Sequence, residues 1–314
     1  MKFNILITAF PFVNEYKKLK KFFENDNFNI KIIKTPQSLK EDELIKLIGN
    51  IDGVLCGDDE FTDRVLRKAN KLKVLSKWGT GIDSIDLKTC KKLGIKVYNT
   101  PGAFTESVAT QALALILNFH RKILQNHNSI KKGIWNKLQG STLINKNIGI
   151  IGLGNIGLRI ARMLVPFKCK IFGNDIKKIS PQKLNKLNLK LKSKPFIFAK
   201  SDIIIFATDL NDTTKHLINK KTSKLIKKKP LLVNIARGPI INEKVLVSLI
   251  KNSIIAGACL DVFENEPIGI NSQITKFKNV ILTSHNAFNT IEEVNKVHIN
   301  TYKNLKLGLK NAKF

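Results

Sequence analysis

The stretch KNIGIIGLGNIGLRIARML, residues 146–164, decides the fold. It opens as a strand, NIGII, passes through Gly152, Gly154 and Gly157 in G-x-G-x-x-G spacing, and continues as a helix. Glycines so placed permit a tight turn, close approach of the backbone to a pyrophosphate and close packing of helix on strand. The helix N-terminus then favours the anion. Such a turn alone is a weak signal, because glycine-rich turns also arise for steric reasons. Asp175 strengthens it by closing the next strand, CKIFGND, 18 residues after Gly157. There an acid accepts both hydroxyls of an adenosine ribose and repels a 2′-phosphate. NAD is therefore the expected cofactor, although Lys177 and Lys178 follow at once and soften the preference against NADP. The competing reading makes Asp175 a plain turn residue.

Outward from this unit the pattern repeats. The strand-like runs DIIIFAT, PLLVNIARG, IIAGACLDVF and NVILTSH follow, so six strands with crossover helices are expected between 146 and 285. Before it, FNILIT, NIKIIK, GVLCG, LKVLSK and KVYNT alternate with helices near 13–26, 38–49, 61–70 and 86–93. Strict alternation implies parallel sheets covered on both faces. A long apolar helix at 105–124 links the two series, and a last helix over 289–310 is expected to return to the first. The fold class is thus α/β, two Rossmann-like or flavodoxin-like doubly wound parallel-sheet domains with a cleft between them. Residues 1–100 plus 286–314 form one domain, and 101–285 the NAD-binding one.

A chain of 314 residues has room for two cores. Its formal charge of +30 points toward a polyanion, but of the 54 basic residues six are arginine, which leaves 48 lysines spread along the chain. Nucleic-acid sites cluster arginine and aromatic residues, so a lysine-loaded solvated surface is the better reading. The run KLIKKKP at 224–230 reads as a helix end. Cys56, Cys90, Cys169 and Cys259 lack CxxC spacing and read as small buried hydrophobes. No cleavable leader or membrane span is apparent, which places the protein in the cytoplasm. His120, His127, His216 and His298 lack metal-ligand spacing and are assigned to surface or packing; no metal is expected.

Polar residues also mark the carboxyl ends of three later strands: Arg237 after LLVNIA, the acids of LDVFENEP (260–267), and His285 after NVILTS. In an open parallel sheet those ends border the ligand crevice. An imidazole there suits removal of a hydroxyl proton during hydride transfer. A carboxylate on its other nitrogen would orient it, and an arginine fork would hold a substrate carboxylate and polarise the adjacent carbonyl. Which of Asp261, Glu264 and Glu266 is the partner, the local sequence leaves open.

NIARGPIIN, LDVFENEP and TSHNA, with GLGNIG and Asp175, resemble the D-2-hydroxyacid dehydrogenases, most closely the phosphoglycerate dehydrogenase-like branch. The likeness runs from ILIT through SKWGTGIDSIDL and NTPGAFTESVA to the final helix. It implies an NAD-dependent oxidoreductase acting on the CH–OH group of a D-2-hydroxyacid. Glyoxylate/hydroxypyruvate reductase is the alternative, and a catalytically idle NAD-sensing regulator the alternative of another class. The resemblance implies Arg237 as substrate-binding arginine, His285 as acid/base and Glu266 as its partner, with Glu264 solvated. It implies cofactor contacts at Gly152, Gly154, Asn155, Ile156, Gly157, Asp175, Thr208, Ala236, Asn286 and Asp261, the last near the nicotinamide carboxamide. Substrate contacts are implied at Lys77, Gly79, Thr80 and Gly81, whose backbone amides hold the substrate carboxylate, while Lys77 leaves a phosphorylated substrate open. Trp78, Thr110 and Asp209 depart from the family pattern, and Trp78 bears on pocket size. The chain as given stops at Phe314, so no appended regulatory domain is expected. The expected partners are a small carboxylate-bearing substrate and a second copy of the chain in a homodimer, with no specific nucleic acid and no membrane. The helix ALALILNF near 112–119 suits a dimer interface or a buried interdomain position equally.

Overall fold

The structure, a computed structural model, describes residues 2–35 and 37–310. The chain divides into two compact units, Met1–Phe104 with Thr290–Phe314, and Thr105–Asn289.

The first unit holds a five-stranded sheet of β1 (Phe3–Ile7), β2 (Phe28–Ile32), β3 (Gly53–Cys56), β4 (Val74–Lys77) and β5 (Lys96–Tyr98), in the order β2-β1-β3-β4-β5. Every pairing is parallel. Strands β3 and β4 are buried along their whole length, as expected of a parallel sheet covered on both faces. The expected helix near 13–26 is broken into α1 (Phe10–Asn14), α2 (Tyr16–Leu19) and a 3-10 turn at Lys20–Phe23, because Glu15 leaves the helical region with φ −98 and ψ 8. Helices α3 (Glu41–Ile48), α4 (Asp63–Lys68) and α5 (Leu87–Lys92) are the crossovers. The side chains of Thr62 and Asp86 cap the last two by accepting from Val65 N and Thr89 N. The chain's last helix, α12 (Ile291–Lys310), packs on β3, β4 and β5, and Ser76 Oγ donates to Thr301 O at 2.8 Å.

The second unit holds seven parallel strands, β6 (Asn147–Ile151), β7 (Lys170–Asn174), β8 (Leu189–Leu191), β9 (Ile203–Phe206), β10 (Leu231–Asn234), β11 (Gly257–Leu260) and β12 (Val280–Leu282). Their order is β12-β11-β10-β9-β6-β7-β8, so the winding reverses between β6 and β9, the place where such sheets bind ligands. Helices α6 (Thr105–Arg121), α7 (Ile123–Lys131), α8 (Asn155–Leu164), α9 (Pro181–Lys186), α10 (Lys194–Lys200) and α11 (Glu243–Lys251) complete the unit. The seventh strand, β8, corrects the expected six. It is a three-residue edge strand with Lys190 between two leucines and two of its residues exposed, too short and polar to register as an apolar run. The run 224–230 holds the end of a short 3-10 helix, Thr222–Leu225, rather than of an α-helix, and continues as a loop in which Lys229 has φ 50. Within 112–119, Ala112, Leu115 and Ile116 are buried, and the helix packs on α8, β10 and β11 of its own unit.

Candidate active site

The glycine turn has the shape its spacing predicts. Gly152 sits at φ +93, and a Cβ there would lie 2.4 Å from the carbonyl oxygen of Ala207, just beyond β9. At Gly157 a Cβ would lie 1.9 Å from the carbonyl oxygen of Gly152. Neither position accepts a side chain. Gly154, the N-cap of α8, has nothing within 4 Å of its Cβ direction, so the space above the helix start is open. Asn155 and Ile156 begin that helix, where first-turn N–H groups have no intrahelical acceptor. Asp175 follows β7 and braces the turn: its Oδ2 accepts from Leu153 N at 2.6 Å and its Oδ1 from Lys177 N at 2.7 Å. Thr208 lies against the turn, its Cα 2.8 Å from the Cβ direction of Gly152. An open space at a helix N-terminus, flanked by a carboxylate at the next strand end, fits a dinucleotide.

The ends of β10, β11 and β12 stand side by side, with Asn234 opposite Leu260 and Leu260 opposite Leu282. The buried side chain of Asn234 folds the turn after β10: its Nδ2 donates to Arg237 O at 2.9 Å and its Oδ1 accepts from Ala236 N at 3.2 Å. Arg237 Nη1 donates to Ala236 O at 2.9 Å. Asp261, 1% exposed, does the same for the turn after β12. Its Oδ1 accepts from Thr283 Oγ1 at 2.6 Å and Asn286 N at 3.0 Å, and its Oδ2 from Ala287 N at 3.1 Å. His285 N donates to Asp261 O at 2.7 Å. The implied nicotinamide-side acid is thus enclosed by the loop that carries His285.

Of the three acids, Glu266 reaches His285. Its Oε2 lies 2.7 Å from His285 Nδ1, and its Oε1 accepts from Phe263 N at 2.9 Å. Both side chains are about one-fifth exposed, at 20% and 21%. His285 itself is held at φ 50, in the left-handed region. An ionised carboxylate only accepts, so this contact places a proton on Nδ1 and orients the ring.

In the first unit the loop 78–81 is braced through its carbonyls. Gly79 O accepts from Thr100 N at 2.9 Å and Thr100 Oγ1 at 3.0 Å, and Thr80 O accepts from Asn99 Nδ2 at 2.7 Å. Among the described residues, the amides of Gly79, Thr80 and Gly81 donate to no backbone carbonyl, an arrangement suited to an anion. Lys77 is buried, its Nζ 2.8 Å from Asp58 Oδ1 and 3.3 Å from Trp78 O. Trp78 is buried too. Its Nε1 donates to His298 Nδ1 at 3.0 Å, and its ring packs on Phe104, so the indole fills the unit's own core.

Residues 113–287 match the family model described as D-isomer specific 2-hydroxyacid dehydrogenase, NAD binding domain. The chain belongs to the D-2-hydroxyacid dehydrogenase family. It is 38% identical to a glyoxylate reductase of Thermofilum pendens over 258 residues, 80% of this chain and 76% of that protein. It is 32% identical to a D-3-phosphoglycerate dehydrogenase of Synechocystis over 257 residues, 81% of this chain and 46% of that longer protein. Among solved structures it resembles the D-lactate dehydrogenase of Aquifex aeolicus complexed with NAD and lactic acid, with a TM-score of 0.87 and 26% identity over 98% of this chain and 96% of that one.

The dehydrogenase is NAD-dependent, in keeping with its glycine cradle. Sequence reasoning missed two things about its site. Asn234, quoted within NIARG, was not singled out, although a buried amide at a strand end signals a turn. Glu264 is only partly solvated, at 22% exposure of its side chain: its Oε1 lies 2.5 Å from His216 Nε2 and its Oε2 accepts from Glu243 N at 2.8 Å. His216, at 36% exposure of its side chain, is the partner of Glu264 Oε1. Among the described residues of the dehydrogenase, no group of three or more His, Cys, Asp or Glu could hold a metal ion, and no helix is long and apolar enough to cross a membrane.

Proposed function

We propose that this dehydrogenase interconverts a small, unphosphorylated 2-oxoacid of the glyoxylate or hydroxypyruvate kind with its 2-hydroxyacid. The observation that carries the substrate reading is the ion pair of buried Lys77 with Asp58. A substrate phosphate drawn to Lys77 meets an ammonium already neutralised and a carboxylate of its own sign. The phosphoglycerate-type reading needs Lys77 to abandon Asp58. The name of the Thermofilum pendens relative supports the smaller substrate.

In this reading the first unit is the substrate-binding one, where the amides of Gly79, Thr80 and Gly81 receive the substrate carboxylate. Arg237 supplies a planar fork that holds carboxylate and polarises the C2 carbonyl. His285 delivers a proton from Nε2 to the C2 oxygen during reduction and takes it back in oxidation, while Glu266 keeps the proton on Nδ1 and stabilises the imidazolium that forms. NAD, when bound, exchanges the hydride with C2. One hydride and one proton convert the 2-oxoacid to the 2-hydroxyacid.

The test is NADH consumption with glyoxylate, hydroxypyruvate and phosphohydroxypyruvate. We expect kcat/KM for one of the first two to exceed that for the phosphorylated acid at least tenfold. A preference for phosphohydroxypyruvate overturns the substrate reading, and NADH binding without turnover of any 2-oxoacid favours the idle regulator. Four buried free thiols fit a reducing compartment, the cytoplasm. The second copy expected in a homodimer has an apolar surface to meet. Helix α7 buries no residue, and Ile123, Leu124, Ile130, Ile134, Trp135 and Ile144 are all exposed, a patch of the kind that marks an interface. Sedimentation equilibrium reads this directly, and a monomer at micromolar concentration refutes it.

A further inference from the structure

A second imidazole–carboxylate pair, His216 with Glu264, stands two residues along the chain from Glu266. Like His285, His216 has a left-handed backbone, φ 49 against φ 50. That conformation is disfavoured for a residue with a Cβ, so the surroundings hold it. His216 N donates to Pro239 O at 2.7 Å, and Asn219 Nδ2 donates to His216 O at 2.8 Å. Ile218 then forms a parallel bridge with Ile241, and Asn242 N donates to Ile218 O at 3.0 Å. The segment 216–218 is therefore laid along the chain that leaves Arg237.

That same chain is pressed onto the loop that carries Glu266. A Cβ on Gly238 would lie 1.8 Å from Phe263 O and 2.5 Å from Glu264 N, so the peptide after Arg237 rests flat on the peptide joining Phe263 to Glu264. The two side-chain oxygens of Glu264 join His216 on one side and the first N–H of α11, Glu243 N, on the other, where the helix end also favours its charge. Phe263 N holds Glu266 Oε1 at 2.9 Å while Glu266 Oε2 meets His285. Glu264 thereby joins three segments: its side chain ties the loop of His216 and the start of α11 to the loop whose next acid orients His285, and its backbone N lies against Gly238, the residue after Arg237.

We infer that His216 and Glu264 act as positioning residues, a strut that fixes Glu266 against His285 and holds it in register with Arg237. The inference rests on the acid/base reading of His285 given above. A cut strut leaves the glycine cradle intact, since Gly152 to Gly157 make none of these contacts. The defect belongs in turnover rather than in coenzyme affinity.

The experiment compares Glu264→Gln, His216→Ala and His216→Gln with wild type and His285→Ala, using the best 2-oxoacid and NADH. In Glu264→Gln and His216→Ala we expect kcat to fall at least tenfold, with NADH Kd within twofold and the thermal midpoint within a few degrees. His216→Gln, whose amide can donate to Glu264, should recover most of the loss. The low-field imidazole N–H resonance of the His285–Glu266 pair should shift or broaden in Glu264→Gln. The strut is overturned by kcat within twofold of wild type in both disrupting variants, or by a loss matched by equal loss of NADH binding and of thermal stability. His285→Ala separates the two readings: if it stays active the acid/base reading itself fails, whereas an inactive His285→Ala beside normal Glu264→Gln and His216→Ala defeats the strut alone.

Discussion

The backbone N–H of Asp261 donates to the carbonyl oxygen of Asn234 across 3.0 Å. This bond joins the two buried polar residues that shape the turns of the site, Asn234 behind Arg237 and Asp261 behind His285. Asp261 takes three donors on two oxygens, which an amide cannot do, since one of its two atoms is itself a donor. Asp261→Asn should therefore set an N–H against a loop N–H and release the His285 turn. We expect kcat to fall at least tenfold with the fold retained, read by steady-state kinetics beside circular dichroism.

Replacement of His285 by Ala removes the proton carrier. Turnover should drop by about 10²–10⁴, the usual range for a general acid/base, while NADH binding followed by fluorescence stays near wild type. Glu266→Gln keeps the shape but loses the charge that stabilises the imidazolium, so a smaller drop is expected. Arg237→Lys, which keeps charge and loses the fork, should raise KM as well as lower kcat.

The three glycines of the cradle differ in what they tolerate. Gly157→Ala drives a methyl to 1.9 Å from Gly152 O, and we expect loss of NADH binding together with a lowered melting temperature. Gly154→Ala points into open space. It should leave the melting temperature unchanged in the absence of coenzyme and weaken NADH binding alone, as isothermal titration would show.

Asp58 Oδ1 pairs with the Lys77 ammonium at 2.8 Å. In Asp58→Asn the ammonium keeps its place without its counter-charge, so the ratio of kcat/KM for phosphohydroxypyruvate over hydroxypyruvate should rise at least tenfold. An unchanged ratio would show that Lys77 does not sense the distal end of the substrate.

His298, fully buried, has its pKa pushed down from 6.5 to about 4 by burial, opposed by the charge of Glu15. The unfolded chain thus binds this proton at a higher pH than the folded one. The contribution to stability is complete above about pH 6.5 and is lost as pH falls toward about 4. Denaturation followed by the fluorescence of buried Trp78, in a Trp135→Phe background because Trp135 is exposed, should show the fall. His298→Gln, which can still accept from Trp78 Nε1, should flatten it.

Much of the site was legible because it sits at ends of elements. Gly152 to Gly157, Asp175, Arg237 and His285 each follow a recognisable strand, and in a parallel sheet those ends lie along one edge. Strand β8 escaped notice because two leucines flanking a lysine at a sheet edge bury too little to imprint a pattern.

The sequence by itself determined the alternation of strands and helices, the coenzyme turn and the residue types brought to the sheet's edge. Short-range sterics and hydrogen bonding control these, and neighbouring residues suffice to express them. Only the tertiary structure decided how the acids of LDVFENEP divide their work, for Asp261 binds Thr283, Glu264 meets His216 and Glu266 meets His285, at separations of 22, 48 and 19 residues. The same holds for Lys77, whose ammonium is paired by Asp58, 19 residues away. A carboxylate or an ammonium has the same local chemistry wherever it stands, and the partner that gives it a role arrives only when distant chain is folded beside it.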